Sequence, residues 1–220
     1  MRIIKFTKLD LLKLKRNWIL LLFPFISLVF IDSNQMMAVP VGAVAYAAFA
    51  GIVAATIPFE ADKKEESGFI RNLPAKPGEG TLGRFFFGFI MMVWMLGVEM
   101  ITFAIASPFM KGVEFFSPLA LRIYACIFGA ALVFSGMQTI VYSLFRSKNN
   151  HVQAFIRLGV PFLFFFCAST FMVNADPDSL KYTIEMFFAH GGALIVFAAG
   201  IIIHFIMGFV VSKTKMGKKY

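Results

Sequence analysis

Six long apolar runs, at 17–31, 36–58, 85–110, 118–145, 154–174 and 184–211, set what this chain can become. A helix rises 1.5 Å per residue, so about 20 apolar residues cross the roughly 30 Å hydrocarbon core of a bilayer. Every run but the first, which is short, meets that length. A water-soluble helical protein is the competing possibility. Of the 220 residues 59% are hydrophobic and 15% charged, and mean hydropathy is +0.79. Soluble domains carry about a quarter charged residues, so this chain has too little polar surface to cover such a core. The sequence therefore predicts an all-α integral membrane protein with six transmembrane helices in a single domain, 1–220. Pro40 and Pro161 fall near the ends of their runs, where a missing backbone donor is tolerated.

The net charge of +9 raises the possibility of nucleic acid, but the placement of the basic residues excludes it. Lys and Arg cluster at the ends of apolar runs rather than along one groove-tracking face. With six spans, one side of the membrane receives residues 1–16, the loop at 59–84, the loop at 146–157 and the tail, which hold eighteen basic residues. The other side holds three, Lys111, Arg122 and Lys181. Positive residues stay cytoplasmic, so both termini are expected inside a multi-pass protein of the cytoplasmic membrane. Six Lys or Arg precede the first run and no small-residue cleavage site follows it, so that run is expected to be retained. Residues 1–16 mix Ile4, Leu11, Leu12 and Leu14 with Lys5, Lys8, Lys13, Lys15 and Arg16, the pattern of an amphipathic helix at the membrane interface.

Small residues recur at Ala43, Ala47, Gly51 and Ala55, and more loosely at Gly192, Gly200 and Gly208. Each series makes a smooth helix face suited to close packing within the subunit. Cys126 and Cys167 lie in apolar runs without a CxxC partner, which leaves them as packing residues.

Motifs for enzyme chemistry are sparse. No GxxxxGK[ST] occurs, so the chain has no P-loop, and "GEGTLG" at 78–83 lacks the lysine and spacing to act as one. "EESGFIR" at 65–71 nears the EExxxR signature of intramembrane proteases. One extra residue turns its arginine about 100° around a helix, and no FxxxH precedes His190 or His204. Away from the ends of the spans, the ionisable residues singled out are Glu99, His190 and His204. A charge at the bilayer centre costs at least about 2.5 kcal/mol, so Glu99 is expected to face protein or a cavity, as a pathway or proton-relay residue or an interhelical contact. His190 is a candidate for the same pathway. The two histidines stand roughly 21 Å apart on one helix and cannot share a metal. No metal site and no bound cofactor are expected.

The loop between the second and third runs carries a different signal. "DKKEESGFIRNL" at 62–73 places acids towards the start and Arg71 near the end of a short helix, matching its dipole. Phe69, Ile70 and Leu73 give it an apolar patch that a solvated loop does not need, and Pro74 and Pro77 stop it. With the opening "LDLLKLKRNW", the six spans, and Glu60, Leu73-Pro74 and Arg84 placed around this loop, the chain resembles the membrane subunit of type-2 ABC exporters. Small bacterial permeases that export phenol-soluble modulins or confer lantibiotic immunity look most similar. The likeness covers most of the chain in layout and about thirty residues in motif, and departs at "AKPGEG".

The resemblance implies a coupling helix docking on a separate ABC ATPase subunit through Glu60, Glu65, Glu66, Phe69, Ile70, Arg71, Leu73, Pro74 and Arg84. It implies a second permease protomer, identical or similar, with ATP and Mg held by the ATPase and none by this chain. The expected cargo is an amphipathic or hydrophobic peptide. Two alternatives stand beside it: an ion- or proton-coupled transporter or channel using Glu99, and a membrane assembly factor without transport.

Overall fold

The computed structural model describes residues 2–14, 22, 24, 38–59, 78–110, 112, 113, 115–144, 155, 157–164, 166, 167, 186, 187 and 191–214. Among these residues every regular element is helical and no strand occurs. The helices are α1 (Arg2–Leu14), α2 (Ala38–Ala54), α3 (Glu79–Ala106), α4 (Pro118–Leu144) and α5 (Gly192–Lys213). Four helices, over Pro40–Phe59, Glu79–Ala106, Pro118–Tyr142 and Gly192–Lys213, are long and apolar enough to cross a membrane. The first expected span lies outside the described residues except at 22 and 24, and the expected coupling loop at 59–84 lies outside them from 60 to 77, its described ends at 59 and 79–84 being helical. Within the fifth run, residues 157–164 are helical.

Local chemistry explains where these helices begin and end. Pro58 has no N–H to give the Ala54 carbonyl and its ring crowds that oxygen, so α2 stops there. The chain tightens instead: the Thr56 N–H donates to Val53 and the Phe59 N–H to Thr56, each at 3.1 Å. α3 starts at Glu79 rather than 85 because Gly78, in the left-handed conformation at φ 91°, turns the chain into the helix. The Glu79 carboxylate then suits the positive end of the helix dipole. This polar first turn is invisible to hydropathy. α3 ends at Ala106 rather than 110, with Pro108 two residues beyond it. Ser117 caps α4 by accepting from the Ala120 N–H at 3.2 Å, and Pro118 takes the first helical position, which needs no donor. α5 begins at Gly192, after Gly191 at φ 75°, and of the expected span ahead of it residues 186 and 187 are described and helical.

α2 is the central helix, with 78% of its span buried, against 44% for α3 and α4 and 22% for α5. Its small residues explain this. Ala43, Ala47 and Ala55 are buried, and Gly51 lies against Met92 of α3. The expected stripe on α5 also faces inward: Gly200 sits backbone to backbone on Gly129 of α4, where any added Cβ would collide, and Gly208 lies against Phe85. Close approach of this kind lets dispersion and Cα–H contacts hold helices that gain nothing from hydrophobicity among themselves.

α1 packs across the first turns of α3. Thr7, Asp10 and Leu14 point inward, and Leu14 joins Ala50, Ala54 and Ile57 of the α2 segment and Phe87, Met91 and Met95 of α3. Ile4, Leu11 and Leu12 stay exposed, so the apolar positions of this helix divide between two faces.

Candidate functional site

Three consecutive residues of α3 reach three other elements. Gly83 accepts a hydrogen bond at its carbonyl from the Thr7 hydroxyl of α1, at 3.2 Å. Arg84 lays its guanidinium 4.0 Å from the centroid of the Phe59 ring, just past the end of α2, and is only 4% exposed. The carbonyl of Phe85 lies 2.9 Å from Nε2 of His204 on α5, whose Nδ1 lies 2.9 Å from the carbonyl of Leu132 on α4. The first turns of α3 therefore bind α1, the end of α2, α5 and, through the imidazole, α4.

The chemistry of each tie fits its surroundings. A guanidinium over an aromatic face is held by the ring quadrupole, and more strongly when water is excluded. Phe59 leans in turn on the Tyr142 ring of α4, 5.3 Å between centroids. His204 is fully buried among Phe85, Phe89 and Phe205. A neutral imidazole donates through one of its two nitrogens and a protonated one through both, and here both face carbonyl acceptors. On the same side of the bundle the Gln138 side chain donates to the Arg157 carbonyl at 3.0 Å, fastening the 157–164 helix to α4.

Glu99 lies towards the opposite end. It is fully buried about 30 Å along α3 from Glu79 and about 10 Å from Ala106, so it falls in the last third of the helix rather than near its middle. Tyr46 of α2 and Tyr124 of α4 lie within its electrostatic range. Tyr124 gives its hydroxyl hydrogen to the Phe115 carbonyl at 2.9 Å, and Thr102, one turn on from Glu99, gives its own to Val98 at 2.9 Å. Phe103, Phe115 and Tyr124 close the space with ring centroids 4.9 and 5.8 Å from Phe103. The carboxyl of Glu99 is thus shut off from water on the same helix as this aromatic group, one turn before Phe103.

Of the residues singled out in the sequence, Arg84, Glu99 and His204 are placed, and they occupy two separate sites. Glu60, Glu65, Glu66, Phe69, Ile70, Arg71, Leu73, Pro74 and His190 lie outside the described residues. Thr7 and Phe59 were not singled out. Phe59 carried a weak signal, as the last aromatic before the polar loop. Thr7 carried none beyond being the sole hydroxyl in α1. Among the described residues no three His, Cys, Asp or Glu side chains gather as metal ligands would. The chain matches no family model, no curated protein and no solved structure.

Proposed function

We propose that this chain is the transmembrane permease subunit of an ATP-driven ABC exporter. It would work in the cytoplasmic membrane, with a separate ATPase subunit and a second permease protomer. The observation that carries this reading is the Arg84–Phe59 stack, which joins the two ends of the polar segment at 60–77. A segment that merely connects two spans needs no such clasp, and Arg84 is buried instead of reaching into water. Its neighbours Gly83 and Phe85 hold α1 and His204, so a pull on the segment acts on four helices together. That is what an element receiving force from a nucleotide-driven partner requires. The apolar Phe69 and Ile70, in an otherwise charged segment, would supply the docking surface.

In this reading ATP binding draws two ATPase subunits together, the docked segments move with them, and the helices rock to open a path between protomers. Phenylalanine and methionine surfaces with few charges suit an amphipathic or hydrophobic peptide as cargo. An adjacent reading frame with a P-loop favours this reading and its absence weakens it; the direct test is co-purification with that ATPase. The double variant Phe69→Asp/Ile70→Asp is expected to lose the complex and its stimulated ATP hydrolysis. An unchanged complex with unchanged hydrolysis sinks the proposal.

A second reading rests on Glu99, a fully buried carboxyl in the last third of α3, within electrostatic range of Tyr46 and Tyr124. It makes the chain a proton- or ion-coupled transporter or channel. Transport that persists without any ATPase and fails in Glu99→Gln would favour it. Full transport by Glu99→Gln at every pH would remove it.

A further inference from the structure

α1 presents its outward face as a mixture of apolar and positive side chains. At 100° per residue, Ile4, Lys8 and Leu11 fall on one line, with Leu12 and Lys5 beside it. All five are exposed, Ile4 by 69% and Leu12 by 62%. The inward face holds Thr7, Asp10 and Leu14, all buried. Asp10 is the only acid of the helix and sits 3.2 Å from the Lys13 ammonium. The outward face therefore carries apolar surface and positive charge with no negative charge among them.

The helix is also fixed in place. The buried Thr7 hydroxyl, shared between the carbonyls of Ile3 and Gly83, sets it against the fifth residue of α3, and Leu14 is sunk between α2 and α3. α3 is 28 residues long, about 42 Å, which overshoots the roughly 30 Å hydrocarbon core by about 6 Å at each end. Gly83 thus stands where hydrocarbon gives way to headgroups, and α1 lies across it.

We infer that the outward face of α1 is a docking surface for acidic phospholipid, with Ile4, Leu11 and Leu12 entering the acyl boundary and Lys5 and Lys8 meeting anionic headgroups. Charge and apolarity together select this occupant. A protein partner would meet two lysines set among leucines, whereas a bilayer surface supplies an apolar layer and a negative layer in the right order. Because α1 is bonded at Gly83, beside Arg84 and Phe85, lipid held there also restrains the part of α3 that gathers the other helices. This inference needs only a membrane location and stands apart from the exporter reading.

The test uses the full chain in nanodiscs of phosphatidylcholine alone or with phosphatidylglycerol, followed by amide hydrogen exchange over residues 2–14. Two lysines near an acidic leaflet strengthen attachment by roughly 30-fold together. Exchange is expected to slow by about that factor in the acidic discs, and the gain is expected to vanish at high salt as screening shortens the field. Lys5→Gln/Lys8→Gln is expected to lose the difference between lipids while exchange in α3 and α4 stays unchanged, which shows that the bundle remains folded. Equal protection in both lipids, insensitive to the double variant, overturns the inference. Protection that instead rises with the number of chains per disc assigns the face to a second copy and overturns it as well.

Discussion

Near α1 three buried polar side chains reach across helices: Thr7, whose hydroxyl is shared between Ile3 of its own helix and Gly83 of α3, Arg84 to the Phe59 ring, and His204 between carbonyls of α3 and α4. Around Glu99 they turn back on their own surroundings, Thr102 to its own helix and Tyr124 to a carbonyl nine residues before it. The first end is held by directed bonds between elements. The second is packed with aromatic rings, Phe103 against Phe115 and Tyr124, on the helix that carries the buried Glu99. A substitution at the first end should loosen the bundle, and a charge-removing one at the second should not.

His204→Ala tests this contrast most severely. It empties a ring-sized space among three phenylalanines and removes the imidazole that bridges the carbonyls of Phe85 and Leu132, for an expected loss of about 3 kcal/mol in thermal or denaturant unfolding of the reconstituted chain. Arg84→Gln comes next. It removes a desolvated cation–aromatic contact of about 2 kcal/mol, and Arg84→Lys, which keeps the charge but not the flat face, is expected to recover part of it. Glu99→Gln should do least, leaving stability within about 1 kcal/mol, since the amide keeps the size and shape of the carboxyl in a fully buried site and can still hydrogen-bond there. A Glu99→Gln loss as large as that of Arg84→Gln would break the distinction between the two ends.

Sequence reading went furthest where one property decides the outcome. Length and apolarity found the four long helices, with the first and fifth expected spans lying wholly or partly outside the described residues, and the alanine and glycine spacing of α2 and α5 found their packing faces, because a helix face follows from periodicity alone. It went least far at helix ends and in cross-ties. The start of α3 depends on a left-handed glycine followed by the polar Glu79, Gly80 and Thr81, which a hydropathy profile reads as loop. The division of α1 into two faces depends on where α3 lies, so Leu14 and Leu12 looked alike until one was buried and the other was not. Arg84 and Glu99 were recognisable as charges beside or within apolar runs. Their partners were not, since Phe59 and Arg84 stand twenty-five positions apart and His204 meets Phe85 across 119.

The contact of Gly200 on Gly129 bears on how the bundle can move. Two backbones pressed together have no side chains between them that could change rotamer, so α4 and α5 must travel as one stiff pair. The seam between α2 and α3 is made differently, from Met91, Met92 and Met95 against alanines, isoleucine and Gly51. An unbranched thioether keeps contact over several conformations. Sliding within the molecule is therefore easiest along the methionine seam, and the glycine crossing serves as the fixed rail beside it.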